Sequence, residues 1–349
     1  MFARIGATTG KSYIIKQPPL AVFASYLIRL RTKAETSPDF LWYYFNSPLY
    51  WSQVNANKGS SLKGGINGSI LSQLLVVCPP LPEQRKIAAV LAKIQRAVEL
   101  QEAILADLRE LKKSTMNRLF THGLRGERLK QTEIGMMPES WEVTKIGDYA
   151  VHVGSGITPR GGSSTYLNSG IPLIRSQNIL MNAIDLNDVA YISPETHCSM
   201  SRSRIYPNDV LLNITGASIG RVAVVPDSIK DANVNQHVCC IRLKPTVEPA
   251  FLSYFLATQA GQKLIMSTQI GTTRQGLNYQ QVRGLVFPLP EKTEQSNISH
   301  ILRTLDEKIA VHESNRTSRQ DLFKTMLNRL MTGAVRVKDL DIDTSEVAA

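Results

Sequence analysis

The sequence has little cysteine and no long apolar run. Its four cysteines, Cys78, Cys198, Cys239 and Cys240, form no C-x-x-C pair, and the adjacent Cys239 and Cys240 are poorly placed to bridge each other. Count and spacing argue against a disulfide framework and for free thiols in a reducing cytoplasm. No stretch reaches the roughly 18 consecutive apolar residues that a membrane-spanning helix needs. The opening residues, MFARIGATTGKSY, lack the basic, apolar and small-residue order of a secretion signal. Acidic residues are outnumbered, with 29 Asp and Glu against 40 Lys and Arg, for a net charge of +11. That excess favours a polyanionic partner, because each neutralised phosphate releases condensed counterions.

The motifs of catalysis are also missing. The glycine-rich loop GITPRGGS, from Gly156, lacks the lysine that would reach a bound phosphate. GGING, at Gly64 to Gly68, has the wrong spacing for a dinucleotide fingerprint. An amino-methyltransferase needs an Asn/Asp-Pro-Pro-aromatic loop around its target amine, and the two Pro-Pro pairs here, in QPPL and CPPL, have neither Asn or Asp before them nor an aromatic after them. PDSIKD, from Pro226, resembles a nuclease signature but has no second carboxylate two residues before the lysine. Six scattered histidines make no zinc pattern. These absences argue against an enzyme and against a metal site within the chain.

What is present is a long internal repeat. Residues from Phe40 to Arg125 lie on those from Phe251 to Arg336 at a constant offset of 211, without a gap. Phe40, Leu41 and Tyr43 fall on Phe251, Leu252 and Tyr254. Glu83 and Gln84 fall on Glu294 and Gln295, and Asn117-Arg118-Leu119 on Asn328-Arg329-Leu330. Solenoid units run about 20–50 residues, so this period means one domain-plus-helix unit used twice, which suits a two-part target. A length of 349 residues accommodates two or three domains.

Each unit closes on a segment that reads as one long helix. From Glu83 to His122 there is no Gly or Pro, and Ile87, Leu91, Ile94 and Val98 step by four and three, the spacing of a coiled-coil seam. About 38 residues at 1.5 Å rise make a rod of roughly 57 Å. From Glu294 to Thr332 the same register gives Ile298, Leu302, Leu305 and Ile309. The seam then turns cationic at His312, Arg316 and Arg319, for which Glu99 and Glu102 offer partners if the helices pair antiparallel. The alternative is that each helix packs only on its own domain. His312 reads as a pairing or surface residue.

Between the helices, residues 138–289 read as a mixed α/β domain, with strand candidates GIPLIRSQNI, DVLLNITGASIGRVAVV and HVCCIRLKP, and a helix from Pro249 to Met266. Residues 1–79 match only the later part of that domain. IGATTGKSYII resembles ITGASIGRVAVV, and YLIRLR resembles CCIRLK. The expectation is an N-terminally truncated first domain, the alternative being one that is minimal by design. The expected fold class is therefore α+β. Two mixed α/β domains, the first partial, are joined by two long helices forming an antiparallel coiled coil. The expected limits are 1–79 for the partial first domain, 80–126 for the first helix, 127–137 for a linker, 138–289 for the second domain, 290–333 for the second helix and 334–349 for a tail.

PPLPEQRKIAAVLAKI from Pro79, NRLFTHGLRG from Asn117, PESWEVTKIGD from Pro138 and FPLPEKTEQ from Phe287, in this order, resemble the DNA specificity subunit of type I restriction–modification systems. The resemblance runs along nearly the whole chain. It implies a non-catalytic subunit whose two target-recognition domains each read half of a split double-stranded DNA site, with the paired helices as a ruler between them. A rod of roughly 57 Å covers about 17 base pairs at 3.4 Å each. It implies as partners two adenine-N6 methyltransferase subunits using S-adenosylmethionine, and two restriction/translocase subunits using ATP and Mg, with no cofactor in this chain and no membrane. The alternative it leaves is a truncated or degenerate subunit acting as a scaffold, or as a half-subunit that must pair.

Reading bases calls for Arg against guanine and Asn or Gln against adenine, on loops that reach a groove. The loops that carry such residues are Thr158-Pro159-Arg160, Arg175-Ser176-Gln177-Asn178, Thr272-Thr273-Arg274-Gln275 and Ser61-Leu62-Lys63-Gly64. They make Lys63, Arg160, Arg175, Gln177, Asn178, Thr273, Arg274 and Gln275 the candidate DNA contacts. Lys63 and Arg274 are cations in matching loops of the two units, which suits phosphate contact better than base reading.

Overall fold

The computed structural model describes residues 1–17, 20–58, 65–159, 161–269 and 276–347. They form two compact units, each built from two parts of the repeat. Unit 1 comprises residues 1–107 and 309–349, and unit 2 residues 108–308. The helices Leu81–His122 and Lys292–Met331 each contribute to both.

In unit 1, Ser37 caps the helix Pro38–Tyr44, its Oγ accepting from Phe40 N at 3.4 Å, and proline opens the first turn, where its missing N–H costs nothing. Pro48–Lys58 and Gly68–Gln73 follow, the latter capped by Asn67. Tyr44, Phe45 and Tyr50 pack edge to face beside Phe2, with Phe40 buried in the same core. The early part of the first long helix closes this core with Ile87 and Leu91, against Leu327, Leu330 and Met331 of the second. The helices run antiparallel here. Glu83 takes the Arg336 guanidinium fork at 2.7 and 2.6 Å, and Gln101, further along, meets His312. The tail after residue 333 belongs to the core, with Val337 and Val347 buried.

In unit 2, the helices start at the positions the repeat dictates. Pro249–Ala257, Gln259–Ser267 and Tyr279–Gly284 begin 211 residues after their counterparts. One helix was expected across Pro249 to Met266. Thr258 divides it, because its hydroxyl accepts from Gly261 N at 3.0 Å and so caps a new helix. Two four-stranded sheets accompany them. In one the order is Val222–Val224, Val210–Asn213, Val238–Leu243, Ala150–Ser155, all antiparallel. In the other it is Ala190–Ile192, Ile171–Ile174, Ala232–Val234, Arg204–Ile205, with one parallel pair. Residues 127–137, expected as a linker, hold most of a hairpin between Leu129–Thr132 and Gly135–Pro138.

The long helices are antiparallel here too. Lys112 pairs with Asp306, and Arg125 with Glu294 at 3.5 Å. Ile298 and Leu302 of the expected seam are fully buried in this unit, as are Ile87 and Leu91 in unit 1, while Ile94, Val98, Leu305 and Ile309 are half-buried. The helices therefore pair with each other as well as packing on the domains, which excludes packing on the domains alone. Among the described residues no helix is long and apolar enough to cross a membrane.

Candidate functional site

Strand ends of the two unit 2 sheets meet along one edge. Val234 and Ile174 are neighbours in the parallel pair, and the chain passes from Val234 through Asn235, Gln236 and His237 into the other sheet at Val238. There Cys239 sits opposite Ser155, and Val238 opposite Asn213. The loops leaving these strands are tied together by their backbones. Asn235 N donates to Ile174 O and Gly156 N to Asn235 O, each at 3.2 Å, and Ile214 N to His237 O at 3.0 Å. Gly156 is required at this crossing, since a Cβ would lie 1.5 Å from Val234 O. Asn213 reaches from beneath to Ser176 O at 2.8 Å, fixing the 175–178 turn to the same edge.

The side chains gathered there are polar. Thr158 Oγ1 donates to Gln236 Oε1, Gln236 Nε2 lies 3.1 Å from His237 Nε2, and His237 Nδ1 lies 2.5 Å from Thr215 Oγ1. Thr215 bridges to Gly276, and Tyr279 pairs through its hydroxyl with Ser155. Hydroxyls, an amide and an imidazole on a loop-built edge can each donate or accept toward a base edge or a phosphate. Among the described residues no group of three or more His, Cys, Asp or Glu is arranged to hold a metal.

Three sequence-predicted contacts lie within the described residues, and all three are on this edge. Arg175 is half-buried. Its Nη2 donates to Asp188 O at 2.8 Å, and its guanidinium lies 5.5 Å from the Tyr166 ring. Gln177 is exposed, with Nε2 on Asp188 Oδ2 at 2.7 Å. Asn178 is only 2% exposed. Its Oδ1 accepts from Arg175 N at 3.0 Å, and its Nδ2 donates to Asp185 O and Asp188 O. That amide is committed to holding the turn. Lys63, Arg160, Thr273, Arg274 and Gln275 lie outside the described residues.

Gln236, His237 and Tyr279 were missed by sequence reasoning. The signal for Gln236 was available, since NVNQHV places amides between two strands, the same Asn-or-Gln criterion that selected Gln177. Nothing in the sequence marks Tyr279, which joins the edge only through its partner Ser155, 124 residues away.

Comparison with known proteins places this architecture. The family model for the type I restriction modification DNA specificity domain matches residues 2–110 and 138–318. The chain is 24% identical over 342 residues to the type I restriction enzyme MjaVIII specificity subunit of Methanocaldococcus jannaschii, covering 96% of this chain and 79% of that protein. It is 27% identical over 291 residues to the EcoBI specificity subunit of Escherichia coli, covering 78% of this chain and 59% of that protein. Among solved structures, the S subunit of a type I restriction–modification system from M. genitalium aligns with a TM-score of 0.58 at 16% identity, over 85% of this chain and 73% of that one. The last is a likeness of fold.

Proposed function

The chain belongs to the type I restriction–modification DNA specificity family, and from that premise we propose that it reads a divided DNA site, one part with each unit. Recognition is its contribution, and the catalytic activities reside in other subunits. In unit 2 the reading edge is the loop cluster around Gln236 and His237, with Arg175 and Gln177 at its side. The loops carrying Arg160 and Thr273-Arg274-Gln275 belong to the same domain, residues 138–289. Lys63 is the corresponding cation of the first domain. The partners are two methyltransferase subunits using S-adenosylmethionine and two restriction/translocase subunits using ATP and Mg, docked on a chain that carries no cofactor of its own.

The observation that supports this most is the family match across both halves of the repeat, read with the convergence of polar loop ends on one edge. Phosphate contacts would fix the register of the protein on the duplex, and amide or imidazole contacts at base edges would select sequence. Mobility-shift selection from random DNA by the chain assembled with its methyltransferase subunit tests it. Enrichment of a defined motif that Gln236→Ala relaxes at one base position supports the reading. Retention without sequence preference would make the chain a scaffold instead.

A further inference from the structure

The polar edge of unit 2 holds a hydrogen-bonded relay whose donors and acceptors can be counted. It runs from Thr158 through Gln236 and His237 to Thr215. Gln236 Oε1 accepts from the Thr158 hydroxyl, and Gln236 Nε2 lies 3.1 Å from His237 Nε2. An amide nitrogen only donates, so His237 Nε2 is the acceptor in this link. The ring proton then sits on Nδ1, which donates to Thr215 Oγ1 at 2.5 Å.

The imidazole is carried on a fixed stretch of backbone. His237 N donates to Asn235 Oδ1 at 3.1 Å, and His237 O accepts from Ile214 N at 3.0 Å. Asn235 is buried and His237 half-buried, whereas Gln236 is exposed, so the relay holds the amide at the surface from beneath. Among the described residues the amide has no side-chain partner besides Thr158 and His237.

A side-chain amide carries two N–H donors and two oxygen lone pairs. His237 takes one donor and Thr158 takes one lone pair. One N–H and one acceptor site, on neighbouring atoms, remain for a ligand. Reversing the relay, with the oxygen toward His237, exchanges the two atoms and leaves the same pair. In the major groove adenine alone offers the complement on one base, an acceptor at N7 beside a donor at N6. Guanine there offers two acceptors, cytosine one donor and thymine one acceptor. An edge built of several loops also suits a groove about 12 Å wide better than one of about 6 Å.

We propose that Gln236 reads an adenine in the major groove, and that His237 and Thr158 are positioning residues that set its hydrogen-bonding pattern. The inference rests on the proposed DNA reading of this edge and names the base that it takes. With His237 in place the amide cannot turn both N–H groups to a base, and guanine is refused for that reason.

The chain assembled with its methyltransferase subunit is first used to select a motif from random duplex DNA. At the position that Gln236→Ala relaxes, affinity is measured for each base and for 7-deazaadenine, which lacks the N7 acceptor. Adenine is favoured there by about 5- to 150-fold, 7-deazaadenine loses most of that margin, and Gln236→Ala does not distinguish the two. His237→Ala narrows the ratio of adenine to guanine affinity, because the freed N–H turns to the second acceptor of guanine. His237→Gln, which returns an acceptor, restores the ratio. A purely structural role for His237 would lower affinity for all four bases alike, and that result overturns the proposal. So does a preferred base other than adenine, equal binding of 7-deazaadenine, or a motif that Gln236→Ala relaxes nowhere; each leaves the divided-site reading standing. Guanine favoured and inosine rejected would place the amide in the minor groove, and overturns it as well. Binding without base preference at any position overturns both readings.

Discussion

Gln101 and His312 occupy the same position of the internal repeat, 211 residues apart, and they hydrogen-bond to each other at 2.8 Å. A position that meets its own repeat image marks the point where an antiparallel helix pair reads alike in both directions. A polar pair there, with Gln101 only 6% exposed, fixes register at some cost in stability, as a buried polar residue does in a coiled coil. Gln101→Leu alone leaves the imidazole without its acceptor and is expected to cost about 1–2 kcal/mol. Gln101→Leu with His312→Leu recovers that loss and lets the pair slip. Denaturant unfolding gives the first result, and cross-linking between cysteines placed along the two helices gives the second.

Glu83 is held below the ordinary carboxylate range by its hydrogen bonds with the Arg336 guanidinium. A depressed folded pKa stabilises above the unfolded value and loses its effect as pH falls through the folded one. Unit 1 therefore loses stability in acid, beginning below about pH 4.3. In a Trp141→Phe background only Trp42 and Trp51, both in unit 1, report by fluorescence. Thermal midpoints there should fall with acid in the parent and stay flatter with Glu83→Gln.

The cysteines divide by burial. Burial pushes Cys239 up to about 12 and raises Cys240 further, with Asp209 beside it. Cys78 and Cys198 are exposed. At pH 8 a disulfide reagent should titrate two thiols in the folded chain and the other two only after denaturation. Four fast thiols would contradict the placement of Cys239 and Cys240 in the sheet.

Asp209, 1% exposed, accepts from Arg242 Nε at 2.8 Å, Arg242 Nη2 at 2.7 Å and Tyr206 N at 2.8 Å, with the guanidinium 4.7 Å from the Tyr206 ring. Asp209→Ala leaves these donors facing a void and should cost about 3–5 kcal/mol. Equilibrium unfolding measures the loss. A change under about 0.5 kcal/mol, the range of ordinary surface substitutions, would mean that the pair is incidental.

Arg274, matched in the repeat by Lys63, is expected to touch phosphate. Charge reversal at Arg274 should weaken DNA binding by the assembled complex on all sequences and lower the salt slope by about one unit. Weakening confined to one sequence, with the slope unchanged, would make it a base reader.

The elements easiest to foresee were those with local signals. Helix stripes rest on residues close in sequence and the repeat offset on direct comparison of the two halves, and the paired seams followed from them. The break at Thr258 was missed because a threonine inside an apolar run reads as interior until its hydroxyl is seen capping a turn. The hairpin in 127–137 was missed because its strands are too short to show alternation. Asn178 met the base-reading criterion by residue type. Its burial depends on Asp185 and Asp188 folding back over it, which residue type does not reveal. The Gln236 and His237 edge joins strands far apart in the chain, and only tertiary structure brings them together.

The core of unit 1 joins Phe40 and Ile87 to Leu330, Val337 and Val347, and this sets an order for synthesis. Unit 2 has all its residues by 308, while the first 107 wait for those after 309. At about 5–20 residues per second, the interval between Phe40 and Val347 leaving the ribosome is roughly 15–60 s. Throughout it the aromatic cluster of unit 1 lacks its closing helix, which makes this half of the nascent chain the natural client of a chaperone.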